Sequence, residues 1–194
     1  MKKTIKNLWK YVVGVILLIV FILLTIKLPD IDLGFKNDII QHRSAITHSA
    51  LIPFLFILFL ISKRQTILRN FICSGVVIGF MVHLIFDLFP KGWNGYALIY
   101  FPFLKRLGWF GKFASPIWII FSILFLIMLL IEISKYNIFI FLTSFISLFG
   151  SIYLYSKIEG LIIFPLAVAV IAFFISLIVM SKENTAWLII WRRI

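Results

Sequence analysis

The ionisable residues of this chain are unevenly placed. All three histidines (His42, His48, His83) and all four aspartates (Asp30, Asp32, Asp38, Asp87) fall between positions 30 and 87. Glu132, Glu159 and Glu183 stand at or beyond the ends of later apolar runs. Imidazole and carboxylate together are the usual ligands of zinc, manganese or iron. A divalent ion held by them would lower the pKa of a bound water and supply a nucleophile at neutral pH. Each piece also has a plainer reading. Pro29-Asp30-Ile31-Asp32 reads equally as a turn closing an apolar run, and His48 as a cap or interfacial residue near a helix start. The pair His83 and Asp87 is harder to dismiss. Spaced i, i+4, it lies on one face near the end of an apolar helix, where ionisable residues are costly and usually functional. Asp38 has no such neighbour and reads as solvated.

The elements that must position these groups belong to a membrane protein. Of the 194 residues, 63% are hydrophobic and 13% charged, with a mean hydropathy of +1.13. A soluble domain is about 45–50% apolar and about 25% charged. Six segments approach the roughly 20 apolar residues that a spanning helix needs: Trp9–Ile26, Ala45–Ile61, Asn70–Leu88, Pro116–Ser134, Tyr136–Ser156 and Leu161–Met180. The second is the shortest. The expected fold is therefore all-α, a polytopic transmembrane protein of about six spanning helices, with residues 1–194 forming a single integral membrane domain. The basic start resembles a signal peptide, but no small-x-small cleavage site follows, so it reads as an uncleaved first helix.

The net charge of +12, from 19 Lys and Arg against 7 Asp and Glu, is carried mainly by short segments flanking the apolar runs. There it sets orientation and meets anionic head groups. No basic helix or aromatic platform for nucleic acid is present, and no soluble partner is implied; membrane lipids are the expected neighbours. With the N-terminus inside, 11 basic residues fall on inner segments and 8 on outer ones. That margin places the N-terminus in the cytoplasm. The lone cysteine, Cys73, excludes an internal disulfide and reads as a small buried hydrophobe. Two stretches read as interfacial: Pro90–Ser115, where aromatics interleave with cations, and Trp187–Ile194.

Topology groups the candidate ligands. The loop from Lys27 to Ser44 follows the first helix, and the third helix ends near Asp87. Two passes separate them, so Asp30, Asp32, His42 and His48 share a membrane face with Asp87. On the third helix Gly75, Gly79, His83 and Asp87 recur every four residues, a stripe that drifts only about 40° per step. The two glycines allow a close helix approach, and the expected partner is the second helix, whose start carries His48.

Three ordered motifs carry a resemblance. Leu28-Pro29-Asp30-Ile31-Asp32, then His42-Arg43-Ser44-Ala45-Ile46-Thr47-His48-Ser49, then His83-x-x-x-Asp87 with Gly92 and Pro102-Phe103 downstream, resemble the YdjM-type family of predicted inner-membrane metal-dependent hydrolases. The resemblance spans residues 28–103, with additional helices over 116–180. Members often carry a histidine near the N-terminus, which this chain lacks, and the spacing from His42-Arg43 to Thr47-His48-Ser49 is one residue longer than the commonest form. The family has been likened to the zinc-dependent phospholipase C and nuclease group, which implies phosphoester hydrolysis.

The expected site is thus a metal centre at one membrane interface. Asp30, Asp32, His48, His83 and Asp87 are the expected ligands of a divalent ion, zinc first, with manganese or iron as alternatives. His42 is expected as ligand or general acid–base, and Arg43 as the clamp on an anionic group, a bidentate contact that suits phosphate. Thr47 and Ser49 are expected to hydrogen-bond the ligands. The expected activity is hydrolysis at the bilayer interface of a lipid or lipid-linked phosphoester in a bacterial inner membrane. The rival expectation is a non-enzymatic membrane protein, either a metal or proton transporter or a structural subunit.

Overall fold

The computed structural model describes residues 2–34, 43–61, 66–89, 98–100, 113–135 and 137–191, the side chains of 2–7, 61 and 183–191 excepted. Among the described residues six α-helices follow one another: α1 Lys2–Thr25, α2 Leu51–Ile61, α3 Ile67–Leu88, α4 Ala114–Ser134, α5 Ile138–Glu159 and α6 Ile163–Trp191. A 3-10 turn, Pro29–Gly34, follows α1. The all-α membrane reading holds. Among the described residues five helices are long and apolar enough to cross a membrane. The short one is α2, with 11 residues; at 1.5 Å per residue it rises only about 16 Å, roughly half a bilayer core. Residues 43–50, which the sequence assigns largely to this helix, instead form irregular turns. His48 therefore sits in a loop, where its direction is set by local hydrogen bonds rather than by helical phase. The C-terminal aromatic stretch is continuous with α6 as far as Trp191.

At the centre stands α3. It is buried on almost every side, from Phe71 through Asp87, while the other long helices turn apolar faces outward: Leu23, Phe121, Ile146 and Phe174 are all exposed. One contiguous apolar cluster draws residues from all six helices. In lipid this arrangement needs little hydrophobic driving force between helices; close packing and satisfied backbone groups hold them. The ends are capped locally. Thr66 Oγ1 accepts from Arg69 N at 3.2 Å at the start of α3. Asn137 Oδ1 accepts from Phe139 N at 3.0 Å and Ile140 N at 3.3 Å at the start of α5. Gly160 ends α5 at φ 74°, a conformation that favours glycine.

The glycine stripe packs, but not against the expected partner. A side-chain carbon at Gly75 would lie 2.6 Å from the Leu18 carbonyl oxygen, and one at Gly79 would meet Thr25 and lie 3.0 Å from the Ile22 carbonyl. Both faces belong to α1, so the pairing with the second helix is corrected: α1 is the close neighbour. The two helices run in the same direction, and their contacts advance together. Phe71 lies over Gly14, Gly75 meets Leu18 and Ile22, and Gly79 meets Ile22 and Thr25. One further step brings His83 to Ile26. Asp87, one step further, and Asp30 both approach the His83 imidazole. A helix of 11 residues could not supply this register over four turns, whereas α1 can.

Candidate metal centre

The stripe ends where three segments meet: the 3-10 turn after α1, the irregular 43–50 loop, and the last turns of α3. His48 is fully buried, His83 and Asp87 nearly so, and Asp30 is partly open. Asp30 Oδ1 lies 3.7 Å from His48 Nε2 and 3.6 Å from His83 Nε2. Asp87 Oδ2 lies 3.5 Å from His48 Nε2 and 3.4 Å from His83 Nε2. Ligand atoms of Asp30, His48 and His83 all fall within 4.8 Å of one another. His83 Nε2 and Asp87 Oδ2 are buried and make no hydrogen bond. Leaving such atoms unmet costs about 1–3 kcal/mol each, more for a charged group.

The outer nitrogens fix which atoms face the centre. His83 Nδ1 lies 2.9 Å from the Ile26 carbonyl oxygen. A carbonyl only accepts, so Nδ1 carries the proton and Nε2 presents its lone pair inward. His48 Nδ1 lies 3.0 Å from Thr47 Oγ1, whose hydroxyl donates at 2.6 Å to Asp32 Oδ2. With its hydrogen spent there, Thr47 accepts from His48 Nδ1, and His48 Nε2 also turns inward. Asp32 Oδ2 further accepts from Ser44 N at 3.1 Å and lies 3.5 Å from His48 Nδ1. The 44–48 turn is thus wrapped around one buried carboxylate. Carboxylates and carbonyls behind imidazoles are the usual supports of metal-binding histidines.

The structure brings Asp30, His48, His83 and Asp87 together as the inward set and separates Asp32 from it. Although the sequence reading groups Asp32 with the ligands, its carboxylate lies behind His48 on the Nδ1 side. The correction has a simple cause: in Asp30-Ile31-Asp32 the two acids are two residues apart on a tight turn, so they point to different sides. Thr47 Oγ1 lies 3.0 Å from His48 Nδ1. The Ser49 hydroxyl instead donates to the Ile46 carbonyl at 3.1 Å and accepts from Leu51 N at 3.2 Å, stitching the loop to α2. His42 lies outside the described residues, as do Asp38, Gly92, Pro102 and Phe103.

Arg43 reaches the site from the other side. Its Nε lies 4.0 Å from Asp87 Oδ1, too far for a hydrogen bond, and its backbone has φ 62°. A left-handed arginine costs about 1–2 kcal/mol. It is held by pairing with Tyr100, whose N donates to the Arg43 carbonyl at 2.8 Å while its carbonyl accepts from Ala45 N at 2.7 Å.

Charge completes the description. Among the described residues, the carboxylates of Asp30, Asp32 and Asp87 gather around His48, with the Arg43 guanidinium beside Asp87. Carboxylates brought together at a largely buried place favour a cation between them, and a divalent ion would serve. Without one the site draws in protons. Burial alone would lower the pKa of His48, but the carboxylates of Asp30, Asp32 and Asp87 overcome this and raise it to about 9.

Two contributors were not legible in the sequence. The Ile26 carbonyl has no side-chain signature at all. Tyr155 of α5, which packs edge-on against Phe86 with ring centroids 4.9 Å apart, lies far along the chain and looks like any membrane tyrosine. No protein-family model, curated protein or solved structure matches this chain.

Proposed function

We propose that this protein is a membrane-embedded, metal-dependent hydrolase that acts at the bilayer interface on a lipid or lipid-linked phosphoester. The observation that carries the reading is the convergence of two imidazole Nε2 atoms with Asp30 and Asp87 oxygens at 3.4–3.7 Å. A tetrahedron with bonds of about 2.1 Å has edges of about 3.4 Å, which suits zinc; manganese and iron take the same donor types. His48, His83, Asp30 and Asp87 would hold the ion, and Asp32, Thr47 and the Ile26 carbonyl would orient the two imidazoles. When bound, such an ion supplies an activated water at neutral pH. Arg43, beside Asp87 and partly open to solvent, would clamp the phosphate group through its planar fork. The three motifs that resemble the YdjM-type family support the same chemistry.

The rival, a transporter, expects its site near the midplane on broken helices. Here Asp87 is the penultimate residue of α3 and Asp30 follows α1, which favours work at the interface. We further assign the N-terminus to the cytoplasm and the site to the outer face of a bacterial inner membrane, on the 11 to 8 distribution of basic residues. Lys36→Cys in a Cys73→Ser background should then react with an impermeant thiol reagent in intact cells; labelling only after lysis would reverse the orientation.

The deciding measurement is metal content of detergent-purified protein prepared at neutral pH without chelator. About one transition-metal ion per chain is expected, lost in a His83→Ala, Asp87→Ala double variant along with phosphoesterase activity. A chain that purifies metal-free and takes up none from added zinc would end this reading. Arg43→Lys should keep the metal yet lose much of the activity, because lysine cannot reproduce the bidentate contact.

A further inference from the structure

A cavity of about 600 Å³ opens beside Asp30, within the range of about 300–1,000 Å³ typical of small-molecule sites. One wall is Leu24, Leu28 and Ile31, from the end of α1 and the turn after it; the other is Tyr155 and Ile158, from the last turns of α5. Lys27 and Glu159 also line it. Asp30 belongs both to this cavity and to the inward-facing cluster.

We propose that this cleft is the hydrocarbon-chain subsite of the metal centre, so that the substrate is an amphiphilic phosphoester lying between the ends of α1 and α5 with its head group at Asp30. The inference rests on the metal-dependent reading above and adds to it where the substrate lies and what half of it must be. Three observations carry it. First, the cleft is built from the ends of two helices long and apolar enough to span a membrane, the level at which acyl chains give way to head groups. Second, its lining is graded: mainly apolar, with Leu24 and Ile158 exposed beyond half of their surface, but with an exposed ammonium at Lys27 where an anionic head group would pass. Third, one of its polar walls is itself a candidate ligand. A water-soluble phosphoester would gain nothing from the apolar walls, whereas an alkyl chain leaves water or lipid for a fitted surface beside the reacting group. Tyr155, held against Phe86, lines the same cleft as Asp30.

The test uses the full chain in lipid nanodiscs, loaded with cobalt in place of the native ion, whose visible absorption responds when an anion enters the site. The probes are ethyl, hexyl and decyl phosphate. In the wild type the half-saturating concentration should fall as the chain lengthens, by about ten-fold for every two methylenes buried. Filling the cleft with Ile158→Trp, or from the opposite wall with Ile31→Trp, should flatten that series toward the ethyl value while cobalt content stays unchanged. Leu154→Trp, on the same helix but facing outward (67% exposed), should leave the series intact. Were the series to persist in both cleft-filling variants, partition into the bilayer would explain it; the cleft would be overturned and the metal site would stand. A cobalt spectrum that no alkyl phosphate perturbs would likewise overturn the subsite alone. A wild-type chain that takes up no cobalt would remove the metal-dependent reading, and this inference with it.

Discussion

The two ends of α3 carry polar groups of opposite character. At the start of the helix, Arg69 donates to the Leu60 carbonyl at 3.3 Å and Asn70 donates to the Ile133 carbonyl at 3.3 Å. These groups have found backbone acceptors and tie α2 and α4 to α3. At the far end, the Nε2 atom of His83 and the Oδ2 atom of Asp87 lie 3.4 Å apart, buried and without a hydrogen bond. The outer nitrogen of His83 is held by the Ile26 carbonyl, whereas its inner nitrogen and the facing Asp87 oxygen are not hydrogen-bonded. Polar residues at the start of the helix are consumed by the fold, whereas those at its end are held in place and left facing one another. Burial alone does not separate the two kinds; the direction of the satisfied atom does.

That contrast breaks most visibly if an inner ligand is removed. His48→Ala should abolish tight metal binding, seen as loss of stoichiometric zinc after purification, since His48 Nε2 approaches both Asp30 and Asp87. Retained zinc at one per chain would show that the converging atoms are a fold device after all. Next in size comes the support behind it. Asp32→Asn and Thr47→Val leave every inner atom in place but loosen His48, so zinc affinity should fall about 10–100-fold by competition with a chromophoric chelator. No change in either variant would mean that His48 is oriented by packing alone.

Protons sharpen the comparison without a mutation. His48 holds a proton up to about pH 9 in the metal-free chain, among Asp30, Asp32 and Asp87 with His83 and Arg43 also facing the cluster. Zinc bound at the proposed site would have to displace that proton, so its affinity should rise about ten-fold per pH unit from pH 6 toward 9. Stability runs the other way. Because the folded pKa lies above the ordinary histidine value of 6.5, the stabilisation it confers on the metal-free fold is complete below 6.5 and is lost as pH rises through about 9. The melting difference between zinc-loaded and chelator-treated protein should therefore widen from pH 6 to pH 9. A flat difference would detach His48 from the site.

Smaller again is Gly79→Ala. The added carbon would meet Thr25 and the backbone of α1, and overpacking of this kind costs about 1–3 kcal/mol. Since α1 delivers both the Ile26 carbonyl and Asp30, zinc affinity should drop several-fold along with thermal stability. The smallest effect belongs to the other end of the helix: Arg69→Met should lower stability yet leave zinc content unchanged. Loss of zinc there would mean that the two ends are coupled through α3.

Hydropathy and residue type determined a good part of this protein on their own. Long apolar runs can only be helices in lipid, because every backbone group must be satisfied within its own segment, so the six helices were legible. The clustering of histidine and aspartate between positions 30 and 87, and the two passes that put Asp30 and Asp87 on one face, were legible for the same reason. Four-residue spacing exposed the Gly75, Gly79, His83, Asp87 stripe, because helical periodicity is local. What faces a stripe is not local. Only the tertiary structure decided that α1, rather than α2, packs on the glycines, since small residues permit close approach without naming a partner. It also decided that Asp30 turns inward while Asp32 turns behind His48, because the loop carries no fixed period from which direction can be read. The Ile26 carbonyl and the α5 wall of the cleft lay beyond the sequence altogether: one is a backbone atom that every residue has, and the other comes from a helix more than a hundred residues away, brought near only by packing.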